Sequence, residues 1–192
     1  RIELEEFQSA SAAKRYEAFN LQEISDLMDK TYIARKLRHV CFALSHQAVT
    51  RAPYRFGLLE AGFAHVETEG LLEIPAIALY YHGCHFLADP AAEMHFSRFR
   101  EILSTHADQF PTDELRALYL LAINFGIKKS NETSDNGWYR ATFELYREAL
   151  GRNLLLENGM ISRFAYHNIV GVAIRLQEVA WAEEFIKKYK PA

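Results

Sequence analysis

The sequence predicts an all-α protein built of antiparallel helix pairs, and three observations carry that expectation. Apolar residues recur at three- and four-residue spacing along almost the whole chain, the period of an amphipathic helix rather than of a strand. Proline and capping residues stand where one apolar run gives way to the next, at Pro53, Pro75, Asp89-Pro90, Pro111 and Ser162, which is where helices stop and restart. Strand-like alternation is essentially absent.

Residues 3–19 read as a helix, with Leu4, Phe7, Ala12, Tyr16 and Phe19 leaning to one side. Asn20 is placed as an N-cap, Glu23 completes a capping box, and Phe19 and Ile24 have hydrophobic-staple spacing. From Leu21 to about Ala52 there is no proline or glycine. Ile24, Leu27, Met28, Tyr32, Leu37, Val40, Cys41, Leu44 and Ala48 sustain a helical stripe through it. The stretch reads as one helix of about 30 residues, about 45 Å long at 1.5 Å per residue, or as two helices kinked near Thr31. Pro53 ends it.

Gly57, Gly62 and Gly70 punctuate a short apolar helix around Leu58–Val66. Pro75 opens the next, with Ile77, Leu79, Tyr80, Phe86 and Leu87. Asp89-Pro90 predicts a restart with a capping carboxylate and proline at the first helical position. Met94, Phe96, Phe99, Ile102 and Leu103 follow. Phe110-Pro111-Thr112 starts a helix through Leu115, Leu118, Tyr119, Ala122, Ile123 and Phe125, with Lys128 and Lys129 in its last turn. Ser130–Gly137 reads as a polar linker rich in turn formers. Trp138, Phe143, Leu145, Tyr146, Ala149 and Leu150 form the next helix.

The clearest unit runs from Ile161 to Tyr189. Ser162 is placed as an N-cap, with Ile161 and Tyr166 at staple spacing. Phe164, Ile169, Val172, Ala173 and Leu176 make one stripe; Val179, Ala182, Phe185, Ile186 and Tyr189 make another. Glu183–Lys187 and Glu184–Lys188 are i,i+4 pairs off the second stripe. This hairpin resembles a tetratricopeptide-type repeat. Ala182 matches the small residue early in the second helix, Phe185 or Ile186 the later large one, and Pro191 the terminating proline. The sequence departs from the pattern at Val170, where the family prefers a small residue, and at Gln177-Glu178, which replaces a glycine turn. The resemblance implies a right-handed α-α superhelix, a solenoid of helix pairs starting near Pro75, Pro111 and Ser162, over the last two thirds of the chain. The run Leu154–Gly159 is also similar to the C-terminal part of uncharacterised bacterial helical proteins, a similarity that implies no activity.

The whole is read as a single helical-repeat domain over 1–192, with N-terminal helices over 1–74 and about three helix pairs over 75–192. A start at Arg1 and an end just after a hairpin read as an excerpt of a longer chain. Charged residues at 24% and a net charge of −3 argue against general attraction to nucleic acid or acidic membranes. Two cysteines, Cys41 and Cys84, make no disulfide framework, so a cytoplasmic, reducing location is expected. No apolar run approaches a membrane span, roughly 20 residues.

Three expectations about function follow. The leading one is a non-catalytic protein–protein interaction scaffold, binding a protein or peptide partner without a cofactor. If the repeat alignment holds, His167, Asn168, Gly171 and Arg175 face its groove, with Tyr80 and Cys84 as their equivalents in an earlier pair. The alternative is nucleic-acid binding by the basic long helix through Lys30, Arg35, Lys36, Arg38, His39, Arg51 and Arg55. The third is a metal site or an enzyme around His82-Gly83-Cys84-His85, with Glu93 and His95 as further ligands; the sequence holds no phosphate loop, nucleophile elbow or metalloprotease pair.

Overall fold

The computed structural model describes residues 20–50 and 52–189. The helix expected over 3–19, Phe19 of the staple, Arg51 and Pro191 lie outside the described residues. The described chain holds eight α-helices: α1 (Leu21–Thr50), α2 (Leu59–Thr68), α3 (Pro75–Ala88), α4 (Glu93–His106), α5 (Thr112–Thr133), α6 (Asn136–Gly151), α7 (Arg163–Arg175) and α8 (Val179–Lys188). Short 3-10 turns at Leu71–Glu73 and Ala107–Gln109 join some of them. The all-α expectation therefore stands. The helices pack in the order α1 on α3, α3 on α4, α5 on α6, α6 on α7 and α7 on α8, with a lighter contact between α4 and α5.

α1 is one unbroken helix of 30 residues. Its first turn is capped by Asn20, whose side-chain oxygen accepts from the Glu23 amide at 3.3 Å. Ile33, Leu37, Val40 and Cys41 are buried. The expected stripe is corrected at its start: Leu27, Met28 and Tyr32 are 46%, 54% and 50% exposed. The reason is length. α3 has 14 residues, about 21 Å against about 45 Å for α1, so it cannot cover the whole of α1, and the buried positions lie in the middle, from Ile33 to Cys41.

α3 begins with Pro75 at its first position, where a missing amide costs nothing. Its Ile77, Ala78, Leu79, Tyr80, Tyr81, Gly83, Cys84 and Phe86 are all buried. A helix apolar on most sides is a central one. Gly83 makes the close approach of α1 feasible: a Cβ there would come within 2.8 Å of Cys41 Sγ. α5 and α6 meet in the same way where Gly126 faces Thr142. Between these contacts lies an aromatic seam. Phe86 sits 5.2 Å from Phe99 and 4.7 Å from Phe125, and Phe96 sits 5.1 Å from Trp138.

Three local expectations are corrected. Asp89-Pro90 does not open α4. Asp89 Oδ1 accepts from the Ala91 amide at 3.0 Å in a turn, and the helix starts at Glu93. The linker at Ser130–Gly137 is mostly helix. α5 runs to Thr133 because Ser130 and Thr133 return their hydroxyls to the carbonyls of Gly126 and Lys129, at 2.8 Å each. That local bonding lets polar residues stay helical. Lys129 accordingly lies inside the helix and is buried, its Nζ 3.2 Å from the Pro90 carbonyl, 3.0 Å from Glu93 and 5.2 Å from the Trp138 ring centre. Third, Leu156–Glu157 pairs antiparallel with Met160–Ile161. Asn158 and Gly159 turn the chain at φ 52° and 79°, the two positive values a tight hairpin requires.

Ser162 caps α7, its hydroxyl accepting from the Ala165 amide at 3.3 Å. α7 and α8 are joined by a turn with Gln177 at φ 60°, and the Glu178 amide reaches back to the Ala173 carbonyl at 2.9 Å. This is a helix C-terminal motif that normally takes glycine. Ala182 is buried with Phe143, Val172 and Ala173. Of the two candidates for the later large residue, Phe185 is buried and Ile186 is 48% exposed.

Candidate functional site

Three of the four groove residues expected on α7 lie together. His167, Asn168 and Gly171 line one hollow of about 180 Å³ with Val172, Tyr139 of α6 and Ile127, Ser130 and Asn131 of α5. The hollow spans two consecutive helix pairs. Gly171 leaves its floor open, for a Cβ there meets nothing within 4 Å. His167 Nδ1 lies 2.6 Å from the Arg163 carbonyl. That contact places the ring proton on Nδ1 and leaves Nε2 as an acceptor at the exposed edge. Arg175 is not a wall residue; its guanidinium rests 5.3 Å from the Tyr139 ring centre at the margin.

Asn168 turns its amide nitrogen inward. The nitrogen is buried and no hydrogen-bond partner meets it at bonding geometry; the nearby Tyr146 hydroxyl on α6 interacts with the same side chain. Burial pushes the Tyr146 phenol up to about 12, and Asn168 opposes that rise. A buried amide donor left unpaired costs about 1–3 kcal/mol, so this position is kept at some expense to the fold.

The earlier pair differs, and the expectation that Tyr80 and Cys84 face a groove is corrected. Both are buried, at 2% and 1% exposure. α1 covers them. Cys84 Sγ donates to the Leu37 carbonyl at 3.4 Å, and Phe42 lies 6.1 Å from the Tyr80 ring centre. The Tyr80 hydroxyl donates to Glu114 at the start of α5, and Arg38 Nε binds the same carboxylate at 2.9 Å. Burial, then Glu114, raises the Tyr80 phenol well above its ordinary value, with Arg38 opposing. Nothing in the sequence near Glu114 announces this role, because its partners come from helices more than 30 residues away.

The basic residues expected to meet a nucleic acid lie on α1 and, for Arg55, just beyond it. Lys30, Arg35, Arg38, His39 and Arg55 are exposed and Lys36 is half-buried. Arg38 is spent on Glu114.

Around His82 a different cluster forms. His82 Nδ1 lies 2.8 Å from His95 Nδ1. His85 is stacked between Phe63, at 4.4 Å and 27°, and His95, at 4.4 Å and 22°. Stacked rings aim their nitrogens along parallel planes, not at one point, whereas ligands of one metal must converge. Glu93 turns away to Lys129 at 3.0 Å. Among the described residues, no three His, Cys, Asp or Glu side chains are placed to hold a metal ion together. Burial, and then the neighbouring imidazoles and Arg98, lower His82 to about 4. Burial likewise lowers His85, with His95 adding to the effect, and lowers His95 itself.

Comparison of the chain with known protein families, with curated proteins and with solved structures finds no match. The fold itself defines the class, an all-α protein. No helix among the described residues is long and apolar enough to cross a membrane.

Proposed function

We propose that this chain is a non-catalytic protein-interaction scaffold of the helical-repeat type. In this reading the pairs α3–α4, α5–α6 and α7–α8 stack as a tetratricopeptide-like right-handed solenoid, and a segment of a partner protein lies in the groove between α5 and α7. The observation that carries it is the hollow shared by His167, Asn168 and Gly171 of α7 with Ser130 and Asn131 of α5. Such a hollow combines an open floor with hydrogen-bonding side chains at its wall, which suits a peptide whose backbone and side chains need partners. Two further features support the stack: from α3 onward each helix packs on the next along the chain, and the small Ala182 lets α8 close on α7.

A photo-crosslinking residue placed at Gly171 tests this reading against the same residue at Ser97, exposed on α4. The expected result is a protein adduct at position 171 that is absent at 97 and lost when Asn168→Leu and Arg175→Glu are added. Equal labelling at both positions, or turnover of a small molecule without any macromolecular adduct, overturns it. Nucleic acid as the adduct, with affinity falling steeply with salt, would replace it with the nucleic-acid reading.

A further inference from the structure

We propose that His82, His85 and His95 form a proton-operated latch, which holds α2 on the α3–α4 pair while the rings are neutral and frees it when they are protonated.

The geometry of the three rings does not survive full protonation. A contact of 2.8 Å between two imidazole Nδ1 atoms needs one nitrogen with a proton and one without. With both rings protonated, two N–H groups and two positive charges oppose each other there. His85 Nε2 is buried without a hydrogen-bond partner, so protonation would bury a charged donor facing no acceptor. Its ring also lies face to face with His95, where two cations repel.

α2 is the element this contact holds. It has 10 residues, and only Gly62 and Val66 are buried. Its attachment to α3 runs through Phe63, stacked on His85 at 4.4 Å and edge-on to Tyr81 at 5.3 Å, and through Glu67, which accepts from the Tyr81 hydroxyl. A helix this short is marginal without its packing. α2 also rests on the 3-10 turn at Leu71–Glu73 and on α1, where Gly62 faces Ile33; the Phe63 stack is its hold on α3, and losing that ring loosens the α3 side of the helix.

The surrounding charges favour the neutral state on balance. From α4, Arg98 faces His82 and disfavours a second cation. From α2, Glu60 and Glu67 pull the other way on His85, but Glu67 is engaged by Tyr81. His65 of α2 faces the α1 side instead, beside Asp29. Glu73 on the 3-10 turn is exposed. α1 meets α3 through the Leu37 carbonyl and Cys41, neither charged. The lowered proton affinity of all three rings agrees with this balance.

Amide hydrogen exchange, expressed as protection factors at pH 7.5 and pH 5.0, tests the latch on the full chain. Acidification is expected to lower protection in Leu59–Thr68 at least tenfold more than in α5 and α6. His85→Phe keeps a ring in the stack and cannot be protonated; His82→Gln with His95→Gln keeps hydrogen bonding without titration. Each is expected to abolish most of that selective loss. Uniform loss across all helices, no loss in α2, or full acid response in a variant that is protected at pH 7.5 overturns the proposal. If both variants unfold at pH 7.5, ring titration of the wild-type histidines by NMR decides. Three rings titrating together with α2 opening below pH 6 uphold the latch, and three rings titrating near 6.5 with α2 closed overturn it.

Discussion

α3 and α7 are built on the same plan and end in opposite situations. Gly83 and Gly171 are each the ninth residue of their helix, and Tyr80 and Asn168 each the sixth. In α3 this face is sealed: α1 lies across it, Cys84 bonds the Leu37 carbonyl, and Tyr80 is anchored to Glu114. In α7 the same face borders a hollow, Asn168 has no bonded partner, and Gly171 meets open space. The difference teaches that a groove here is what remains where no third helix arrives. The same helix register serves as core in one pair and as accessible surface in the other.

The sharpest way to break this comparison is to add one methyl group at both glycines. Gly83→Ala drives a Cβ to 2.8 Å from Cys41 Sγ and 3.4 Å from Phe99, and is expected to destabilise by about 1–3 kcal/mol as overpacking does. Gly171→Ala meets nothing and is expected to stabilise by about 0.5–1 kcal/mol through helix propensity. Denaturant unfolding of the two variants measures both. Equal effects would mean that α1 does not seal α3 as described.

The polar residues of the same register come next. Tyr80→Phe removes a donor from the buried Glu114 network and is expected to cost about 1–2 kcal/mol. Asn168→Leu removes a buried amide nitrogen that bonds nothing, and is expected to stabilise by about 1 kcal/mol, the lower end of what an unpaired buried donor costs.

Acid should find the α2–α4 side before the α5–α8 side. Folding lowers the histidine proton affinities, His82 to about 4 from 6.5. The unfolded chain therefore binds more protons, and stability falls with falling pH. The stability attributable to these rings is complete above about pH 6.5 and is lost progressively toward pH 4. For His82 the loss is expected to be about 1–2 kcal/mol once its partial exposure is discounted. A thermal melt at each pH, repeated on the variant His82→Gln, measures it, and an identical slope in the variant counts against the assignment.

The smallest expected effect is at the α7–α8 turn. Gln177 holds φ 60°, which costs a non-glycine residue roughly 1 kcal/mol. Gln177→Gly is expected to raise the melting temperature by relief of about 0.5–1 kcal/mol, net of the greater freedom glycine has when unfolded.

Much of the helix plan is legible without coordinates. Asn20 and Ser162 cap where expected, Pro75 opens α3, and Leu21–Thr50 without proline or glycine makes one helix. The hairpin at Leu156–Ile161 was also open to reading, since Asn158-Gly159 is the strongest short turn signal, but two-residue strands show no period. Ser130–Gly137 misled because its turn-forming side chains bond carbonyls inside the helix instead of ending it. His95 was within sight as a neighbour of His82 in sequence; its stacking on His85 was not, because that depends on the angle between α3 and α4.

The chain by itself determined that it is helical, where most helices begin, and that His167, Asn168 and Gly171 stand close together on α7. Those are outcomes of period, caps and proline, forces acting within a turn or two of the backbone. Only the tertiary structure decided that α1 buries Tyr80 and Cys84, that Leu27, Met28 and Tyr32 at its start stay exposed, and that His167, Asn168 and Gly171 border a hollow. Burial belongs to a pair of elements, and the partner that seals α3 comes from 47 residues away at Leu37, beyond the reach of any local signal.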